Sequence, residues 1–101
     1  MTFDSVFLGA DGVTTVGGGE ICEADLQQTR LKELMCRRAD TVYVLADSSK
    51  LGRELFHARA RLPRGWVLVT DSEASVSSLA EFAAADVDVR VVGAGGRLVG
   101  D

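Results

Sequence analysis

The 101-residue chain is poor in the residues that build metal cages and disulfide frameworks, with two cysteines, Cys22 and Cys36, and one histidine, His57. The cysteines form no Cys-x-x-Cys pair, so neither a zinc site nor a disulfide scaffold fits. Both read as small buried or half-buried side chains. An excess of positive charge is also missing. Lys+Arg 11 against Asp+Glu 15 leaves a net charge of −4, a field that repels a nucleic-acid backbone, so this chain by itself is not expected to bind DNA. No apolar run approaches the ~20 residues that span a bilayer. The acidic opening Met1-Thr2-Phe3-Asp4 does not suit a signal peptide, and a reducing, cytoplasmic setting is the expectation. Repeats and low-complexity segments are absent. What remains, 47% hydrophobic and 26% charged residues, is the mixture of one globular domain over residues 1–101.

Three apolar runs each end in an aspartate: Val6-Phe7-Leu8-Gly9-Ala10-Asp11, Val42-Tyr43-Val44-Leu45-Ala46-Asp47 and Val67-Leu68-Val69-Thr70-Asp71. As parallel strands they would share one carboxyl edge of a sheet, where open α/β folds place their ligands. Residues 5 to 9 read as a strand, followed by a pliable loop through Gly12 and Gly17-Gly18-Gly19, with no helix before Cys22. From Ala24 to Ala39, Ala24, Leu31, Leu34 and Met35 recur at helical spacing, with Asp25 at the start and Arg37-Arg38 at the end to suit the helix dipole. Thr41 to Ala46 lacks alternation, the pattern of a strand covered on both faces at a sheet centre. A second unit follows: a strand at Trp66–Thr70, a helix at Val76–Ala85 and a strand at Val87–Val92. In that helix Val76, Leu79, Ala80 and Ala83 form the expected buried stripe, with Asp71 or Ser72 capping its approach. Phe56 to Leu62 alternates like a short exposed strand before the Pro63-Arg64-Gly65 turn.

The richest candidate site is Asp47-Ser48-Ser49-Lys50. Pattern alone favours a turn in which Asp47 bonds its own backbone and Lys50 is solvated, whereas the functional reading has Asp47 accept hydroxyl hydrogens and Lys50 supply charge to an anion. Asp11, flanked by Gly9 and Gly12, is balanced between tight turn and ligand contact. Asp71 reads as a capping residue. Gly17-Gly18-Gly19 could offer backbone amides to an anion but lacks the lysine of a phosphate loop. Gly93-Ala94-Gly95-Gly96 has Leu98 where a dinucleotide fingerprint needs glycine, so nucleotide binding is rejected there. His57, the arginines Arg53, Arg59, Arg61 and Arg64, and Lys32 midway along the first helix all read as solvated surface.

With Phe7-Leu8-Gly9-Ala10-Asp11-Gly12-Val13, Lys32 and Met35, Val44-Leu45-Ala46-Asp47-Ser48-Ser49-Lys50-Leu51-Gly52 and Leu68-Val69-Thr70-Asp71 in order, the chain resembles the C-terminal effector-sensing domain of DeoR-family transcriptional regulators. The resemblance covers most of the chain. It implies a three-layer α/β fold, a mostly parallel sheet with flanking helices of the ribose-5-phosphate isomerase-like type. It also implies a phosphorylated sugar as effector, contacted by Asp11, Asp47 and Lys50 with Gly9, Gly12 and Lys32 nearby, and neither metal nor cofactor. The helix-turn-helix module and the strand with its phosphate loop would precede Met1, so operator DNA would be reached only through that module. An unprotected sheet edge could pair with another copy to give a homo-oligomer. The enzyme alternative is sugar-phosphate isomerisation. Gly12 stands where the isomerase pattern has a second acid, Val16 where it has a lysine, and Glu20 and Glu23 are poorly spaced for a base, so sensing without turnover is expected.

Overall fold

The computed structural model describes residues 3–53, 58–93 and 98–99. In chain order the elements are β1 (Phe3–Gly9), β2 (Gly12–Thr14), β3 (Glu20–Glu23), α1 (Leu26–Arg37), β4 (Ala39–Leu45), β5 (Ala58–Arg61), β6 (Val67–Asp71), α2 (Val76–Ala84), β7 (Asp88–Val92) and β8 (Leu98–Val99). Strands β1, β4, β6 and β7 lie side by side and parallel, and β8 adds an antiparallel edge to β7. The α/β architecture with a mostly parallel sheet and flanking helices is therefore present.

The glycine-containing stretch read as a loop holds a second sheet. β2 and β3 form a hairpin and β5 pairs antiparallel with β3, giving the order β2-β3-β5. A 3-10 turn at Val16–Gly18 joins the first two strands, with positive φ at Gly17, Gly18 and Gly19. Gly19 is forced, because a Cβ there would lie 2.3 Å from the Trp66 indole nitrogen. Trp66 Nε1 donates to Gly18 O at 2.9 Å, tying this hairpin to the start of β6. In β5, Ala58 and Ala60 are buried while Arg59 and Arg61 point outward, so the alternation is that of a half-covered strand. Phe56 and His57, where that strand was expected to begin, and Ala94 to Gly96 lie outside the described residues.

Strand register puts Val6, Leu8, Val42, Val44, Leu68 and Val89 on one face of the parallel sheet. The core forms there, joined by Val13, Ile21 and Ala60 from the small sheet, Cys36 from α1 and Phe82 from α2. The opposite face is less covered: Phe7 is 62% exposed and stacks on Tyr43 with ring centroids 4.8 Å apart, and Leu45 is 44% exposed. β4 thus buries one face rather than two. Burial also departs from the helical stripes. On α1, Leu31 and Leu34 are exposed while Thr29 and Cys36 are buried. On α2, Val76, Ala80 and Ala83 are exposed, Leu79 is half-buried, and Phe82 is the residue driven into the core against Trp66. A large ring outcompetes small side chains for the interior because it removes more apolar area from water.

Candidate functional site

Parallel β1, β4 and β6 end at one edge, so the segments that follow them carry Asp11, Asp47 and Asp71 to a common rim. After β4 the chain makes a 3-10 turn at Ser48–Lys50 with Asp47 as its N-cap. Asp47 Oδ1 accepts from the Ser49 amide at 2.9 Å and also from the Ser49 hydroxyl. The Lys50 amide donates to Asp47 O at 2.9 Å. These bonds are the self-bonded turn that pattern favoured. The Ser49 donors, hydroxyl first, hold the exposed Asp47 carboxyl below the ordinary aspartate range. Asp71 does not cap α2, where Ser75 does so by accepting from the Ser78 amide at 3.1 Å. Instead Asp71 Oδ2 accepts from the Ser48 amide at 2.9 Å and Oδ1 from the Glu73 amide at 2.8 Å, clamping the Asp47 turn to the end of β6. The Ser48 amide first, then that of Glu73, lowers its pKa.

A second cluster sits at the end of β1. Lys32, read as solvated, reaches back from α1 to donate to Gly9 O and to Glu23 Oε1. Its side chain is 17% exposed and that of Glu23 only 5%. Asp11 Oδ2 accepts from the Ala24 amide at 3.2 Å, which is the main cause of its lowered pKa, followed by a hydrogen bond with Glu23. Glu23 moves the other way. Burial pushes its carboxyl up, against the pull of Lys32. Glu23 and Asp11 are therefore a coupled pair whose outer carboxyl is shifted down and whose buried carboxyl is shifted up.

Lys50, the last residue of the turn that Asp47 caps, is half-buried, and its charge contributes to lowering the pKa of Asp11 and Asp47. Lys50 forms no salt bridge among the described residues. Gly12 has a structural reason for lacking a side chain: a Cβ would lie 2.1 Å from the Arg53 carbonyl oxygen. That close approach goes with the Gly52 amide donating to Val13 O at 2.7 Å, which docks the segment after Lys50 onto β2. Beside Asp47 an open cleft of about 430 Å³ runs across the ends of β4, β6 and β7, bounded by Leu45, Val69, Thr70, Asp71 and Val92. The Thr70 hydroxyl on this cleft is buried and has no hydrogen-bond partner among the described residues.

Sequence reasoning missed Glu23 and Thr70. The first was dismissed on chain spacing, which the β2–β3 hairpin makes irrelevant by pairing Gly12 with Cys22 and so bringing Asp11 beside Glu23. Thr70 carried a signal only in being a hydroxyl at the end of an apolar strand. The glycine run does not cradle an anion with its last two amides, since Gly18 and Gly19 donate to Thr15 O and Val16 O at 3.0 Å each. Among the described residues no group of His, Cys, Asp and Glu is arranged to hold a metal ion, and no helix is long and apolar enough to cross a membrane.

The family model of the DeoR C-terminal sensor domain matches residues 1–72. The chain is 34% identical over 87 residues to the HTH-type transcriptional regulator GlpR of Haloferax volcanii, a match covering 86% of this chain and 33% of that protein. It is 38% identical over 71 residues to the uncharacterized HTH-type transcriptional regulator FruR of Bacillus subtilis, covering 70% of this chain and 28% of that one. It is 32% identical over 91 residues to the putative aga operon transcriptional repressor of Escherichia coli O157:H7, covering 90% and 33%. The chain thus spans about a third of the length of these curated relatives. No solved structure gives a significant match.

Proposed function

We infer the function from a premise that this match establishes: the chain belongs to the DeoR family, as its C-terminal sensor domain. The similar proteins are transcriptional regulators, so the role is regulatory. The effector we assign is a phosphorylated sugar, held at the rim where β1 and β4 end. Asp11 and Asp47 accept the sugar hydroxyls, Lys50 meets the phosphate, and Gly9, Gly12 and Lys32 shape the floor. Operator DNA is then contacted by a helix-turn-helix module outside these residues, in an assembly of several copies. One observation carries the reading: β1 and β4 are paired in parallel, so the loop holding Asp11 and the Asp47–Lys50 turn leave the sheet at the same edge, and Lys50 forms no salt bridge among the described residues. An ammonium and two hydrogen-bond-accepting carboxylates on one rim match an anionic polyol better than they match either a plain anion or a neutral sugar. Binding one arrangement of the sensor more tightly, by ~1 to 3 kcal/mol of coupling, would bias the attached DNA-binding modules.

Calorimetry of the intact regulator against a panel of sugar phosphates tests this. Lys50→Gln and Asp47→Asn are each expected to weaken binding by about tenfold or more, the loss of one charge-assisted contact. Undiminished binding in both variants overturns the assignment. The isomerase reading gains one observation, the meeting of Asp11, Glu23 and Lys32. Against it, Glu23 is sealed from solvent and held by Lys32, which leaves no open carboxylate face to take a proton from substrate. Turnover of ribose 5-phosphate by the protein would reverse this order.

A further inference from the structure

At the opposite edge of the sheet, where β6 begins, a cleft of about 590 Å³ opens between the Val16–Gly18 turn, the Arg61–Trp66 segment and the end of α2. Its size is that of a small-molecule site. Two guanidinium groups, Arg61 and Arg64, line it, and neither forms a salt bridge among the described residues. On a chain of net charge −4 that is unexpected, because acidic partners are in excess. Local geometry accounts for it. Glu20 lies opposite Arg61 in the β3–β5 register but is drawn to Arg59, with 3.7 Å between Oε1 and Nη1. Asp86, at positive φ in the turn after α2, also lines the cleft and is paired with neither arginine.

The Arg61 side chain is exposed and passes beside the glycine turn. It lies over Gly17, so that a Cβ at that position would meet Nη2 at 3.1 Å and Cζ at 3.4 Å. Gly17 also has φ +62, so a larger residue is disfavoured by backbone and by space alike. The second arginine is presented by the Pro63-Arg64-Gly65 turn, with Gly65 at φ +85. A planar fork beside a glycine turn, with a second arginine lining the same opening, is a donor set for a tetrahedral oxyanion.

We propose that this cleft is a second anion site of the protein, separate from the Lys50 rim, that takes a phosphate group, either free or carried by a small phosphorylated molecule. Arg61 and Arg64 donate to the phosphate oxygens, and the volume beyond them accommodates an organic remainder. Asp86 opposes a plain anion and marks the side on which hydroxyl donors of such a remainder are accepted.

The test uses protein carrying Lys50→Gln, so that the rim does not contribute, with inorganic phosphate and ribose 5-phosphate titrated separately by calorimetry. The single tryptophan, Trp66, lines the cleft and supplies a fluorescence signal at the site. Phosphate is expected to bind with a change in that signal. Adding Arg61→Gln or Arg64→Gln should weaken binding by about tenfold, while Asp86→Asn, which keeps a residue tolerant of positive φ, should strengthen it by about twofold through loss of a like charge. Tighter binding of ribose 5-phosphate assigns the site to a phosphate ester; tighter binding of inorganic phosphate assigns it to the free ion. Absence of phosphate binding, or equal binding with both arginines replaced, overturns the proposal.

Discussion

Lys32 shows why a residue's place in a helical pattern does not fix its environment. The pattern puts it on a polar face of α1, and the fold then sets the end of β1 and the end of β3 beside it, so its ammonium joins Gly9 O to the buried Glu23 carboxylate. Removing the cation leaves a carboxylate 5% exposed beside Asp11 with no other positive partner in contact among the described residues. Lys32→Met is expected to destabilise the protein by about 2 to 3 kcal/mol, below the usual cost of breaking a fully buried pair because Lys32 retains some solvent. Thermal unfolding at neutral pH reads this as a lower Tm, and an unchanged Tm would show that the pair is incidental. Gly12 teaches the same lesson in reverse. Its glycine was legible as a request for close approach, but the group that approaches is the Arg53 carbonyl, and no local signal names a partner forty-one positions along the chain.

Helices α1 and α2 were legible as elements and less so as faces. Asp25 caps α1 by accepting from the Gln27 amide at 2.8 Å, a start signal that depends on local chain geometry alone. Which stripe is buried depends on what lies opposite, and small β-strands opposite α1 select Cys36 and Thr29 over Leu31 and Leu34. Accordingly, Asp25→Ala should cost about 1 kcal/mol and Leu34→Ala no more than about 0.5 kcal/mol, the reverse of what the apolar stripe implies. Urea unfolding of the two variants decides between the faces. β2 and β3 escaped notice because strands of three and four residues carry too few positions to show alternation, and the glycine turn between them reads as loop.

Across the whole molecule, titration pulls stability in two directions. Asp11, Asp47, Asp71 and Asp88 are each lowered from the ordinary 3.8, by backbone amides for Asp11 and Asp71, chiefly by the Ser49 hydroxyl for Asp47 and by Arg90 for Asp88. Their contribution is present above 3.8 and is lost as pH falls through the folded values. Glu23 is raised from 4.5, so its contribution is present below 4.5 and is lost as pH rises through its folded value. Stability should fall on the acid side through these four carboxyls and decline above 4.5 through Glu23. Glu23→Gln, which cannot ionise, is expected to flatten the upper decline and leave the acid limb in place when Tm is followed between roughly pH 3 and pH 7. A decline above 4.5 that persists in that variant would remove Glu23 as its source.

By itself the sequence determined the order of strands and helices in the parallel sheet, the burial of Cys22 and Cys36 and the placement of Asp11, Asp47 and Asp71 at the carboxyl ends of parallel strands. Each of these follows from apolar runs, their lengths and their ends, which are properties of neighbouring residues. Tertiary structure alone decided the hairpin that carries Glu23 to Asp11, the recruitment of Lys32, the burial of the Thr70 hydroxyl and the approach of Arg61 to Gly17. Those are contacts between segments far apart in the chain, and their energies depend on distance and dielectric, which exist only once the chain has folded.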